Sequence, residues 1–312
     1  MKILITGGAG CLGSNFIERY FPLGHEICVI ENFATGKKEV ILPQKGLSLI
    51  EGSIVDEALV NRVFDDFQPT HVIHSAAAYK DPNNWAEDAA TNVIGTILIA
   101  KAALRLGVKR FINFQTALCY GRPQELPIPA THPTEPFSSY GISKTAGEAY
   151  LMQSGLPVVS LRLANICGPR LAIGPIPTFY KRLKAGQNCF CSDSVRDFLD
   201  MEDFLDLMDL VLQDDAATGV FNVSTGEGHS ILDVFKTVAN YLGMEAPEVP
   251  VVGVGADDVA QVVLDPSATE LAFGWKAKKG FQETIFKQLK WYDQYGINDI
   301  FSHLAAPAIN KN

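Results

Sequence analysis

"MKILITGGAGCLG", residues 1–13, sets an apolar run, Lys2–Thr6, directly before a loop with glycines at positions 7, 10 and 13. A short β-branched run that stops at clustered glycines reads as a strand ending in a tight turn, here opening into a helix. Glycine lets the backbone approach a pyrophosphate closely, and a helix N-terminus adds free N–H groups and a positive dipole. Glu31 follows the next apolar run, Glu26–Ile30. A carboxylate there can accept hydrogen bonds from both ribose hydroxyls of an adenosine and would repel a 2′-phosphate. Strand, glycine loop, helix and acid together predict a dinucleotide site that prefers NAD to NADP. Taken singly they are a turn-and-cap glycine cluster beside an exposed Glu.

Outward from this stretch the chain alternates between two periods. "LSLI" (Leu47–Ile50), "HVIHS" (His71–Ser75), "RFINF" (Arg110–Phe114) and "PVVSLRL" (Pro157–Leu163) are short, apolar runs. Helix-like segments separate them, the longest spanning Asn84 to Leu106 with Gly107 as its C-cap. Continuous apolar strands alternating with helices predict a parallel sheet covered on both faces. After Arg162 the pattern loosens. "GPRLAIGPIP" reads as loop, "FNVS" (Phe221–Ser224) as one more strand, and the tail from Ser230 as short helices and strands. No internal repeat or low-complexity segment interrupts this pattern.

Composition bounds the function. The 312 residues are 47% hydrophobic and 20% charged, as in an ordinary soluble globular protein large enough for a sizeable core. No run reaches the ~18 apolar residues of a membrane span. Met1 leads straight into a strand and leaves no room for a signal peptide, so a cytoplasmic location is expected. The net charge of -9 argues against a nucleic-acid partner. Six scattered cysteines form no CxxC pair and read as reduced, mostly buried thiols. Cys189 and Cys191 flank Phe190 at strand spacing, and with no neighbouring His or Cys no metal site is expected.

"SSYGISKTAGEAY" (Ser138–Tyr150) carries Tyr140 and Lys144 four residues apart, on one face of a helix. The plain reading is an amphipathic surface helix. The chemical one is a proton-transfer pair, because a phenol with a pKa of about 10 needs a nearby cation to act as a base.

The order of motifs decides between them. "TGGAGCLG", "HSAAAY", "TNVIGT", "FQTALCYG", "YGISK", "LRLANICGPR", "VRDFLDMEDF" and "FNVSTGEGHS" stand in sequence along nearly the whole chain. In this the chain resembles the extended short-chain dehydrogenase/reductases, the nucleotide-sugar epimerase and dehydratase group. Within it the chain looks closest to epimerase/dehydratase proteins of Bordetella-type O-antigen loci. The resemblance implies an α/β Rossmann fold, a doubly wound parallel sheet with a smaller C-terminal substrate domain. The NAD-binding unit would span 1–165 and 197–224, the nucleotide-sugar unit 166–196 and 225–312.

The resemblance also implies roles. Tyr140 would be the base, Lys144 would stabilise the phenolate and anchor the nicotinamide ribose, and Thr116 would hold the reacting oxygen. NAD would lie against Gly7, Gly10, Cys11, Leu12, Glu31 and Asn32, then against Ser53, Ile54, Ala76 and Ala77, besides Tyr140 and Lys144. A UDP-sugar would meet Lys80, Thr116, Asn165, Arg170 and Arg196. Arg196 would face the diphosphate and Arg170 a sugar carboxylate, or else each is a solvated charge. The chain departs from the family twice: Gly255 stands where an Arg often contacts the diphosphate, and Ser53 where an Asp often meets the adenine.

Thr116 is followed by Ala117 and Leu118, where family dehydratases and decarboxylases carry acids. A small apolar pair offers no general acid or base, so C4 epimerization through a 4-keto sugar is expected, with NAD kept through turnover. A 4-ketosugar reductase, a 5-epimerase or dehydratase, and a noncatalytic NAD-binding regulator stay open. Val93, Ile97, Ala100 and Leu104 form an apolar stripe for the sheet; Ile94, Leu98 and Ala102 form an adjoining one. By the resemblance, the second stripe predicts a homodimer.

Overall fold

The computed structural model describes residues 1–255 and 258–298. Six strands build most of its main sheet: β1 (Lys2–Thr6), β2 (Glu26–Glu31), β3 (Leu47–Glu51), β4 (His71–His74), β5 (Arg110–Thr116) and β6 (Val158–Leu163). Strand Gly219–Val223 adds a seventh at the edge. The order is β3-β2-β1-β4-β5-β6 and then Gly219–Val223, with every pairing parallel. The order reverses between β1 and β4, so this is the doubly wound fold, and ligands are expected outside the strand ends at that point.

The strands are apolar throughout because each face has its own core. Ile3 and Ile5 pack with Phe16 and Ile17 of α1 (Cys11–Tyr20) and with Phe204 and Met208 of helix Met201–Val211. Leu4 points the other way, toward Val60 and Phe64 of α2 (Glu57–Phe67) and Ile99 and Ala103 of α3 (Trp85–Leu106). Next to α3 lies α4 (Ser139–Met152), capped by Ser138, whose hydroxyl accepts from the Gly141 amide.

A third core sits beyond the sheet. Helices Pro175–Lys184, Ile231–Tyr241 and Phe281–Tyr295 enclose Phe179, Phe235, Ile285 and Leu289. Trp275 and Phe273, in the stretch assigned by sequence to the second unit, pack instead in the first core. Residues 299–312 of that unit lie outside the described residues.

Three readings need correction. "GPRLAIGPIP" is not all loop: a helix begins at Pro175, where proline fits the first turn because its missing N–H has no partner to lose. The tail holds two substantial helices of 11 and 15 residues. The stripes of α3 are also mis-phased. Its middle, Ala89–Gly95, is a π-helix, which takes more residues per turn and rotates the face that follows. Thr96, Ile99, Ala100, Ala102 and Ala103 are buried, whereas Leu104, expected against the sheet, is exposed. By length and hydropathy α3 would also pass for a membrane span. Here one of its faces lies in the sheet core, with polar Asn92 and Thr96 buried along it.

Candidate active site

A cleft of about 920 Å³ opens at the C-terminal ends of β1, β2, β4 and β5 and extends to Ile176 and Phe198 of the third core. The glycine loop forms its floor. A Cβ on Gly7 would come within 2.7 Å of Ala76 backbone atoms, and one on Gly13 within 2.7 Å of the Gly7 carbonyl. Gly7 also has φ 71°, in the left-handed region. Side chains at these two positions would clash with the chain's own backbone and open the tight loop that a pyrophosphate needs. Glu31 is buried, and its two carboxylate oxygens accept from the Ala9 amide at 2.9 Å and the Phe33 amide at 2.8 Å. It therefore ties the glycine loop to the end of β2 as well as facing the cleft.

The expected cofactor residues Gly7, Gly10, Cys11, Leu12, Glu31 and Asn32 all line this cleft, as do Ser53, Ile54, Ala76 and Ala77. Thr116 and Tyr140 line it too. Thr116 ends β5, and its hydroxyl accepts from the Leu118 amide at 3.2 Å. Lys144 lies one turn from Tyr140 and is only 4% exposed. Burial brings its ammonium down to about 8, against an opposing push from Glu148. The Tyr140 phenol is pushed well above its usual range by burial, then by Tyr79 and Asp88. Burial is the first of these causes, so the site as the chain builds it favours the protonated phenol.

Of the expected substrate residues, Asn165, Lys80 and Thr116 line the cleft. Asn165 donates through Nδ2 to the Asp197 carbonyl at 3.0 Å. Arg170 is held elsewhere. Its Nε donates to Ser14 Oγ at 2.9 Å and its Nη2 to Glu18 at 2.5 Å, both on α1, and its backbone has φ 66°. Arg196 bonds Asp258 at 2.8 Å and the Val195 carbonyl at 2.8 Å. Neither guanidinium lines the cleft.

Sequence reasoning missed two groups. Asp88 lines the cleft, is 2% exposed and accepts from Ser139 Oγ at 2.6 Å, next to Tyr140. Asn92 binds both Ala78 backbone groups and donates to Ser143 Oγ at 3.0 Å. Polar residues inside the apolar helix pattern were the available signal. Among the described residues no His, Cys, Asp and Glu cluster could hold a metal, and all six cysteines are free, five of them buried.

A doubly wound sheet with a glycine cradle, a buried acid after β2, Thr116 and Tyr140 on the cleft and Lys144 buried one helical turn from Tyr140 defines an NAD-dependent enzyme of the short-chain dehydrogenase/reductase type. Residues 3–224 match the NAD dependent epimerase/dehydratase family, and the chain belongs to it. It is similar to the enzyme WbmG of Bordetella bronchiseptica, solved in complex with NAD and UDP. The two are 71% identical over 98% of each chain, with a TM-score of 0.93. WbmH of the same organism, in complex with NAD+, is 38% identical over 95% of this chain and 99% of its own, with a TM-score of 0.89. The UDP-glucose 4-epimerase of Lactobacillus helveticus is 26% identical over 95% of this chain and 98% of its own. The likeness expected to Bordetella proteins is thus found, and the cofactor is NAD.

Proposed function

We propose that the protein epimerizes a UDP-hexose or UDP-hexuronic acid at C4 through a 4-keto sugar, in the synthesis of surface-polysaccharide precursors. The observation that carries this is the turn after Thr116. Ala117 is buried and Leu118 reaches the cleft, so this turn brings no acid to the reacting oxygen. Similarity to UDP-sugar 4-epimerases supports the reading.

Gly7, Glu31 and the residues around Ala76 fit the dinucleotide. When bound in oxidised form, NAD supplies a hydride acceptor and a positive charge that favours the Tyr140 phenolate. Tyr140 then takes the proton of the C4 hydroxyl and returns it after the ring has turned. Thr116 orients that oxygen, and buried Lys144 supports the phenol side of the site. Glu31 reads the adenosine ribose and disfavours a 2′-phosphate. Since NAD and UDP-sugars are cytoplasmic metabolites, the reaction belongs there.

Asp88 favours a second reading. Burial raises its carboxyl, and a carboxyl near the phenol could move a proton at C5, as a 5-epimerase or dehydratase requires.

Assembly is read as a homodimer. Ile94 and Leu104 on α3 and Ile142 and Tyr150 on α4 are each more than half exposed. Apolar groups gathered on two adjacent helices support a partner face.

Incubation with UDP-glucose, UDP-N-acetylglucosamine and UDP-glucuronic acid, followed by proton NMR, tests the activity. A C4 epimer from at least one supports it; no C4 epimer from any of them contradicts it.

A further inference from the structure

His74 is fully buried at the end of β4. Its Nδ1 lies 2.8 Å from Thr6 Oγ1 and its Nε2 2.9 Å from Thr96 Oγ1. The directions of these bonds follow from their ends. Thr96 donates its hydroxyl proton to the Asn92 carbonyl at 2.7 Å, since a carbonyl can only accept. Thr96 Oγ1 is then the acceptor for His74, and Nε2 must carry the ring proton. A neutral ring leaves Nδ1 as acceptor for the Thr6 hydroxyl. Thr6 Oγ1 in turn accepts the Ala76 amide at 3.2 Å. Burial, and then the charge of Lys144 from α4, hold the imidazole down at about 3, so the ring stays neutral at working pH.

The chain therefore runs one way, from Ala76 through Thr6, His74 and Thr96 to Asn92. It closes on itself, because the Asn92 side chain binds the amide and carbonyl of Ala78. Asn92 also donates to Ser143, whose hydroxyl donates to the Tyr140 carbonyl at 3.0 Å. Thr96 ends the π turn, with its own amide directed to the Val93 carbonyl.

We propose that His74 is a positioning residue: with its ring proton on Nε2, it locks the cofactor-facing turn Ala76–Ala78 to the π turn of α3 and thereby to the helix that bears Tyr140. Its side chain does not line the cleft. Its role is to set the distance between the wall that holds NAD and the helix that supplies the base. A bond chain in which each donor is polarised by the next is cooperative, so breaking any link should slacken the whole.

The test uses the NAD complex and does not depend on which sugar is turned over, so a failed sugar assay would leave it standing. Two-bond proton–nitrogen NMR should find His74 in the Nε2–H tautomer, unchanged between about pH 5.5 and 8.5. A ring protonated on Nδ1, or one titrating in that range, would overturn the proposal. Thr96→Val should weaken NAD binding about 10-fold, while Thr96→Ser, which keeps the hydroxyl, should stay within about 2-fold of wild type. His74→Phe should match Thr96→Val, and the double variant should be no worse than either. Equal losses for Thr96→Val and Thr96→Ser, wild-type affinity in Thr96→Val, or additive losses would each reject the chain. Should His74→Phe fail to fold, the Thr96 pair and the NMR signature still decide.

Discussion

Asn92 and Ala78 are joined by two hydrogen bonds: the Ala78 amide donates to Oδ1 at 2.9 Å, and Nδ2 donates to the Ala78 carbonyl at 2.8 Å. The side chain thus replaces a strand partner for a backbone turn that has left the sheet. Asn92 is 1% exposed, so water is poorly placed to substitute. Asn92→Ala should cost about 2–3 kcal/mol of stability by stranding both Ala78 groups. Urea unfolding of the two proteins measures this, and a loss below about 0.5 kcal/mol would mean that Ala78 finds other partners.

Lys144 has a signature in the pH dependence of stability. Its pKa falls from 10.5 in the unfolded chain to about 8 in the fold. Between those values the unfolded chain holds a proton that the folded one has released, so stability from this group rises with pH. The gain approaches about 3 kcal/mol by pH 10.5. Unfolding at about pH 8 and pH 10 should therefore show a more positive slope in wild type than in Lys144→Met. Parallel slopes would place an ordinary, solvated lysine at this position.

Arg170→Ala separates a structural arginine from a substrate reader. The guanidinium is bound to Ser14 and Glu18, so KM for the UDP-sugar should change less than about 2-fold and stability should drop by about 1 kcal/mol. A 10-fold rise in KM with unchanged stability would put the side chain back at the sugar.

Ile94→Arg should convert the dimer into a monomer, read by light scattering at micromolar concentration. A charge placed at the centre of an apolar contact is left without its water. If wild type itself scatters as a monomer, the exposed groups on α3 and α4 have no such partner.

Much of this was legible in the chain. β1 through β6 announce themselves because both faces of each strand are covered, which leaves unbroken runs such as "KILIT" and "RFINF". The glycine spacing and Glu31 carry their own chemistry, and they lie together in the cleft. Less legible were properties set by distant partners. Arg170 is read as a substrate contact only by someone blind to Glu18, 152 positions away. Arg196 is likewise claimed by Asp258. The phase of α3 depends on a π turn, held by Thr96 and Asn92, that no 3.6-residue periodicity reports. His74 lay in plain view inside the apolar run "HVIHS", where a polar residue signals a buried partner.

C4 epimerization with hydride returned to the carbon it left is tested most directly with a UDP-sugar deuterated at both C4 and C5, turned over in ordinary water and read by NMR. The account predicts that the C4 epimer forms with its deuterium retained at C4 and no hydrogen exchanged at C5. Tyr140→Phe should still bind NAD and turn over at least ~100-fold more slowly, as loss of a general base requires. Exchange at C5 with solvent would contradict the account and bring Asp88 forward as the acid or base of a 5-epimerase or dehydratase.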